Sequence, residues 1–296
     1  MLEMTKKPLV ILENEYGGVG LDGQFLREGK ASDDMDVWEL TEGCICCSVK
    51  SDFATSVLTI ANTLDPEYLI VEPTGVGMLS AVLQNIRRIE YERISLLQPL
   101  TIIDATCFDA DRACYGDIYI DQIRYAGRIL FSKTERMDSV EQTALMNAVT
   151  VLAPDAIFEK EHYSRRNTGW WMSLLETRLD GSRIPEVKMP ENPDLESFAV
   201  SDVELQDMGT LVLFLERVVR GFFGEVRRAK GCVRVAEECV RFDVVDKDYS
   251  ITGFEENQQT KAVFIGRALA YDAIKKLFLN FQKNEAQGKK RHGRKD

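Results

Sequence analysis

The sequence predicts an α/β protein: a mostly parallel sheet with helices on both faces, followed by a smaller α+β domain built on a mainly antiparallel sheet. Three observations predict it. Short apolar, β-rich runs alternate with helix-spaced stretches through the first half of the chain. Several of those runs end in polar or glycine-rich segments, where sheets of this kind bind their ligands. The alternation then dissolves between about residues 161 and 196, and a different pattern follows.

Taken in order, strands are expected at Leu9 to Leu12, Tyr68 to Val71, Leu100 to Ile103, Arg128 to Phe131 and Ala156 to Phe158. Between them Phe53 to Leu64, Leu79 to Ile89 and Ser139 to Leu152 carry apolar residues at helical spacing. Four strand ends, Glu13 to Gly20, Glu72 to Gly77, Asp104 to Thr106 and Ser132 to Glu135, are expected to converge. Trp170 and Trp171 fall in the irregular stretch with Pro185, Pro190 and Pro193, and they read as packing between domains. Beyond it come a strand at Ser197 to Val200, a helix at Gly209 to Arg220, strands near Glu225 to Val235, Cys239 to Val245 and Lys261 to Ile265, and a helix from Tyr271 to Phe281. The expected division is therefore a first domain over 1–160, a linker over 161–196, a second domain over 197–282 and a charged tail over 283–296.

A chain of 296 residues with 45% hydrophobic content is long and apolar enough to fold around real cores. No apolar stretch reaches the roughly 20 residues of a membrane span, and the first residues lack a secretory segment, so a cytoplasmic protein is expected. A net charge of −11 disfavours nucleic acid as a partner, because phosphate binding wants a basic face. The basic run from Lys289 to Lys295 reads as a solvated terminus. Seven cysteines, an odd number, argue against a disulfide framework and fit a reducing compartment.

Three of those cysteines lie within four residues, in Gly43-Cys44-Ile45-Cys46-Cys47-Ser48. Zinc, cobalt and Cu(I) favour sulfur donors, and a tight turn can aim Cys44, Cys46 and Cys47 at one point. Three thiolates leave one coordination position open, which suits an ion that is passed on better than a structural ion closed by four ligands. Two other readings fit the same residues: a redox dithiol from Cys44 and Cys47, which stand in C-x-x-C spacing, and a chance cluster of small residues. Cys107, Cys114, Cys232 and Cys239 read as buried single thiols.

The strings LVILENEYGGVGLDG, ELTEGCICCSVKSDF, YLIVEPTGVG, TIIDAT and DQIRYAGRILFSKTE, in that order, resemble the CobW-type family of P-loop GTPases, relatives of the UreG and HypB nickel chaperones. The likeness covers nearly all of residues 9 to 160, and KAVFI followed by GRALAYDAIKKLF resembles the end of the family's C-terminal domain. The resemblance implies a P-loop-GTPase-like sheet and GTP-dependent metal handling, with zinc or cobalt on the cysteine turn. The ion would be delivered to a client protein or into cobalamin biosynthesis. It further implies that Glu72 organises Mg²⁺ and water near the γ-phosphate, and that Glu13, Asn14, Glu15 and Gly17 form a switch-like loop between metal and nucleotide. Ser132, Lys133 and Glu135 would face the base, with Gly75 beside a phosphate. Read without the family, ENEYGGVG is a loop with helix-capping acids and EPTGVG a turn made by Pro73 and Gly75.

Two departures shape the expectation. The glycine-rich loop G-x-x-x-x-G-K-[ST], whose N–H groups and lysine cradle phosphates, occurs nowhere in the chain, and Leu9 to Leu12 matches the family's second strand. The chain alone is therefore expected neither to hold GTP tightly nor to hydrolyse it at a useful rate. The guanine-reading Asn-Lys-x-Asp appears as Ser132-Lys133-Thr134-Glu135, which also reads as a strand end before a helix capped by Thr134 or Ser139. Deleting an inner strand would leave buried edges costing on the order of 1 to 3 kcal/mol per unpaired group. An N-terminally incomplete sequence, or a partner that supplies the strand, is expected on that ground. The alternatives in function are a nucleotide-independent metal adaptor or sensor, and a thiol redox protein.

Overall fold

The computed structural model describes residues 9–14, 35–40, 50–75, 77–91, 93–159, 162–180, 196–236, 238–254 and 260–278. These form two compact units, one from the described residues up to 180 and the other from 196 onward.

In the first unit, strand β1 (Leu9–Asn14) lies between β2 (Met35–Leu40) and β3 (Tyr68–Glu72), and both pairings are parallel. Val10 and Leu12 of β1 with Leu69 and Val71 of β3 form one face, covered by Phe53, Val57 and Ile60 of α1 (Lys50–Thr63) and by Val82 and Ile86 of α2 (Leu79–Arg87). The 53, 57, 60 and 82, 86 spacings place those residues on single helix stripes, which is why the helices lie flat on the strands.

A second parallel sheet has β5 (Arg128–Ser132) between β4 (Leu100–Asp104) and β6 (Ile157–Glu159). Ile103, Ile129 and Phe131 meet Phe108 of α3 (Phe108–Tyr115), Tyr119 and Ile123 of α4 (Asp117–Arg124), and Leu145 and Val149 of α5 (Ser139–Leu152). The single parallel sheet expected from the sequence is thus present as two three-stranded halves among the described residues. The helix after β5 is capped by Asp138, whose carboxylate accepts from the Val140 and Glu141 N–H groups while Glu141 returns a bond to the Asp138 N–H. That reciprocal box displaces Thr134 and Ser139 from the capping role expected of them, because the acid three residues ahead of Glu141 can satisfy two N–H groups at once.

Residues 162–180 belong to this first unit. Buried Glu159 at the end of β6 is held by Arg128 at 2.6 Å and by Arg166 at 2.8 Å. The Arg166 guanidinium lies 5.4 Å above the Trp170 ring, and Trp170 meets Trp171 edge-on inside the short helix α6 (Thr168–Ser173).

The second unit is built on a six-stranded sheet ordered β11-β10-β9-β12-β7, with β8 paired to β9. Its strands are β7 (Glu196–Ser201), β8 (Glu204–Leu205), β9 (Glu225–Val235), β10 (Glu238–Val245), β11 (Asp248–Phe254) and β12 (Lys261–Arg267), antiparallel except for β8 against β9. One face packs on Leu211, Phe214, Leu215 and Val218 of α7 (Met208–Val219) and on Ile274 and Phe278 of α8 (271–278). Phe214 touches the rings of Phe223, Phe242, Phe264 and Phe278 at centroid distances of 5.4, 6.5, 6.0 and 5.1 Å. Gly231 is required where β9 crosses Phe242: a Cβ there would stand 2.7 Å from that ring and 2.8 Å from the Lys261 carbonyl oxygen. Cys232 and Cys239 sit diagonally across the β9–β10 hairpin, both buried. Both are free thiols, as is buried Cys114, whereas Cys107 is only half-buried; burial together with neighbouring Cys239 pushes the Cys232 thiol up to about 11.

Candidate functional site

Parallel register brings acids together at the carboxyl ends of the first sheet. Glu13 of β1 stands opposite Glu39 of β2 on one side and opposite Glu72 of β3 on the other. Glu13 is 4% exposed, whereas Glu72 reaches water. Asn14 is the last residue of β1, opposite Leu40. Glu15, Gly17, Cys44, Cys46 and Cys47 lie outside the described residues. In sequence β2 ends four residues before the first of those cysteines.

The turn after Glu72 is held from a distance. The Gly77 N–H bonds the Thr74 carbonyl at 2.9 Å. The Gln122 side-chain amide of α4 then donates to the carbonyls of Gly75 at 2.9 Å and Gly77 at 2.7 Å. Beside it, Asp121 accepts from the Ser80 N–H at 3.0 Å and the Ser80 hydroxyl at 2.5 Å, fixing the first turn of α2. Burial raises the Asp121 carboxyl above its ordinary value, and the two bonds from Ser80 offset only part of that. A Cβ on Gly75 would meet no atom within 4 Å, so this glycine borders open space.

At the carboxyl end of the second sheet Asp104 stands in register with Ser132. Its carboxylate accepts from the Thr106 N–H at 2.9 Å, from the Thr106 hydroxyl at 2.6 Å and from the Lys133 ammonium. Burial works to raise this carboxyl, but the bonds from Lys133 and Thr106 prevail and hold it below the usual carboxylate value. Lys133 adopts a left-handed backbone with φ 59°, which turns the chain out of β5 into the short 3₁₀ turn Thr134–Arg136. Glu135 within that turn is exposed, and the Ser132 hydroxyl donates to the Ile103 carbonyl at 3.3 Å.

The structure therefore brings Ser132, Lys133 and Glu135 into one turn and sets Glu13 beside Glu72. Asp104, Thr106, Asp121 and Gln122 complete the arrangement and are not among the sequence candidates. Asp104 to Thr106 was legible as a polar strand end, but the reach of Gln122 to a loop 45 residues away in sequence has no local signature. Among the described residues no three His, Cys, Asp or Glu side chains are grouped to hold a metal ion. The thiolate donors proposed from the sequence fall outside that set.

A parallel α/β unit with its polar groups at the strand ends, followed by an antiparallel unit, defines a two-domain α/β and α+β protein. Residues 1–158 match the model for the CobW/HypB/UreG nucleotide-binding domain, and residues 195–282 match the cobalamin synthesis protein CobW C-terminal domain. The chain belongs to the CobW/HypB/UreG family.

Among curated relatives, zinc chaperone YeiR of Escherichia coli K12 is 29% identical over 136 residues, 46% of this chain and 40% of that protein. Zinc chaperone YjiA of the same strain is 27% identical over 141 residues, 45% of this chain and 43% of that protein. Zinc chaperone CobW of a Sinorhizobium species is 24% identical, covering 49% of this chain and 48% of that protein. The chain thus spans less than half the length of these relatives. The crystal structure of zinc-bound YjiA GTPase from E. coli superposes loosely, with a TM-score of 0.40 and 18% identity over 92% of this chain and 98% of that one.

Proposed function

We propose that this chain is a CobW-like metallochaperone that carries zinc on Cys44, Cys46 and Cys47 and passes it to a client protein. The observation that carries this reading is the C-x-C-C motif in a chain whose residues 1–158 match the CobW/HypB/UreG model. Relatives described as zinc chaperones support zinc as the cargo. Chemically, three thiolates hold the ion firmly, and a client thiolate or imidazole enters the fourth position to begin exchange. Cobalt satisfies the same donors, so it is a second candidate cargo and a useful spectroscopic substitute. Thiolate ligands need a reducing compartment, which suits a cytoplasmic setting. No described helix is long and apolar enough to cross a membrane.

We assign the nucleotide-binding-like part to 1–160, the C-terminal domain to 197–282, the tail to 283–296 and the connection to 161–196, of which residues 162–180 pack within the first unit. Were Mg²⁺ and GTP held here, Glu72 would supply the metal-side carboxylate. Lys133 and Glu135 would face the base, and the Glu13 to Gly17 segment would couple the two sites. A nucleotide-independent metal adaptor is the second reading, since the guanine-reading Asn-Lys-x-Asp stands here as Ser132-Lys133-Thr134-Glu135.

Metal analysis of protein purified without added metal tests the cargo site. Near-stoichiometric zinc is expected, lost in a Cys46→Ala, Cys47→Ala variant; equal zinc in both would refute the thiolate assignment. Equilibrium dialysis with and without GTP then separates chaperone from adaptor, since only the former changes zinc affinity with nucleotide.

A further inference from the structure

Among the described residues the second unit holds one pair of thiols, Cys232 on β9 and Cys239 on β10. Strand alternation sets both on the face of the sheet turned away from α7 and α8, since their neighbours Val233 and Val240 line the core on the other face. They lie diagonally across the β9–β10 ladder, within hydrogen-bonding reach of each other, and are 0% and 6% exposed. Their placement fits an ion better than a bond. Diagonal neighbours of an antiparallel pair stand roughly 7 to 8 Å apart, whereas a disulfide wants Cα atoms within roughly 4.4 to 6.8 Å. Zinc asks for four donors, and no third His, Cys, Asp or Glu of the described residues is grouped with these two. Two sulfurs alone suit a soft monovalent ion that accepts two ligands in line, Cu(I) above all.

Charge supplies a second, independent argument. Arg234 stands opposite Cys239, and Cys232 is flanked by Arg241 on β10 and Lys261 on β12. Over 228–234, 239–243 and 261–265 this face carries Arg228, Lys230, Arg234, Arg241 and Lys261 against Asp243 alone. A monovalent cation that displaces both thiol protons leaves a centre with one net negative charge. Cations at the facing cross-strand positions favour that centre, and they add nothing to a neutral disulfide.

We propose that Cys232 and Cys239 hold one Cu(I) ion as a bis-thiolate in the second unit, with Arg234, Arg241 and Lys261 balancing its charge. Each Sγ gives its proton to solvent and donates an electron pair to the ion, and no electron is transferred. The site is separate from the cysteine motif of the first unit and does not rest on it.

The probe is Cu(I) itself, added anaerobically in competition with a chromophoric Cu(I) chelator. It is given to the full chain carrying Cys44→Ser, Cys46→Ser and Cys47→Ser, so that the motif of the first unit contributes no thiolate. One equivalent should bind, and X-ray absorption should find two sulfur neighbours around the copper. Adding Cys239→Ala should weaken uptake by more than the roughly 10- to 100-fold that follows loss of an outer-shell partner. Cys114→Ser, at another buried thiol, should leave uptake unchanged. Cu(I) should also raise the melting temperature of the triple variant, a readout that needs no change at the pair itself. No uptake, no rise in melting temperature, uptake that survives Cys239→Ala, copper with three or more sulfurs, or zinc held as tightly by the same pair would each overturn the proposal.

Discussion

Asp121 shows how much a single buried carboxylate can report. Its folded-state value is raised by burial, so below the unfolded value near 3.8 the group contributes its full share of stability, and that share is lost as pH rises through the folded value. Asp121→Asn keeps an acceptor for Ser80 and removes the titration. Thermal melts of both proteins from pH 3.5 to 7 should therefore show the variant gaining on the parent as pH rises; parallel curves would mean that the carboxyl titrates normally. Asp104, held low by Lys133 and Thr106, has the opposite sign. Neither behaviour was legible in the sequence. Glu72, Lys133 and Glu135 stood out through their motifs, whereas Asp121 and Gln122 owe their roles to partners more than 40 residues away.

At the level of elements, α5 depends on its capping box. Asp138→Ala leaves two N–H groups of the first turn without their acceptor and should cost about 1 kcal/mol, measured as a lower denaturant midpoint at unchanged slope. An unchanged midpoint would show that water replaces the cap. The strongly periodic helices and the apolar strands were readable because their side chains face one core each, as in α7, where residues 211, 214, 215 and 218 form one stripe. β2 escaped notice because Asp36 and Glu39, three residues apart, break the strand period of two in Met35–Leu40, and charge flanks it. α3 and α4 escaped because each bears a narrow apolar face within an acidic stretch, and Gly116 separates them with a positive φ.

On the scale of the molecule, each unit has its own core, and in the second unit α7, β10, β12, α8 and the 223 turn all meet at Phe214. Phe214→Ala should cost about 3 to 5 kcal/mol and open that unit as a whole. Hydrogen exchange would then rise together across 226–244 and 261–267 while β1, β3 and β5 keep their protection; a loss confined to α7 would contradict this. The division into an α/β part and an α+β part could be read from the sequence, since strand rhythm and proline content change along it. The split of the first sheet could not, because pairing between distant strands leaves no local trace. Positions 39, 13 and 72, acidic and in register on β2, β1 and β3, have a further effect on that half of the molecule. Carboxylates on one rung of adjacent strands disfavour a bare anion there and favour a cation.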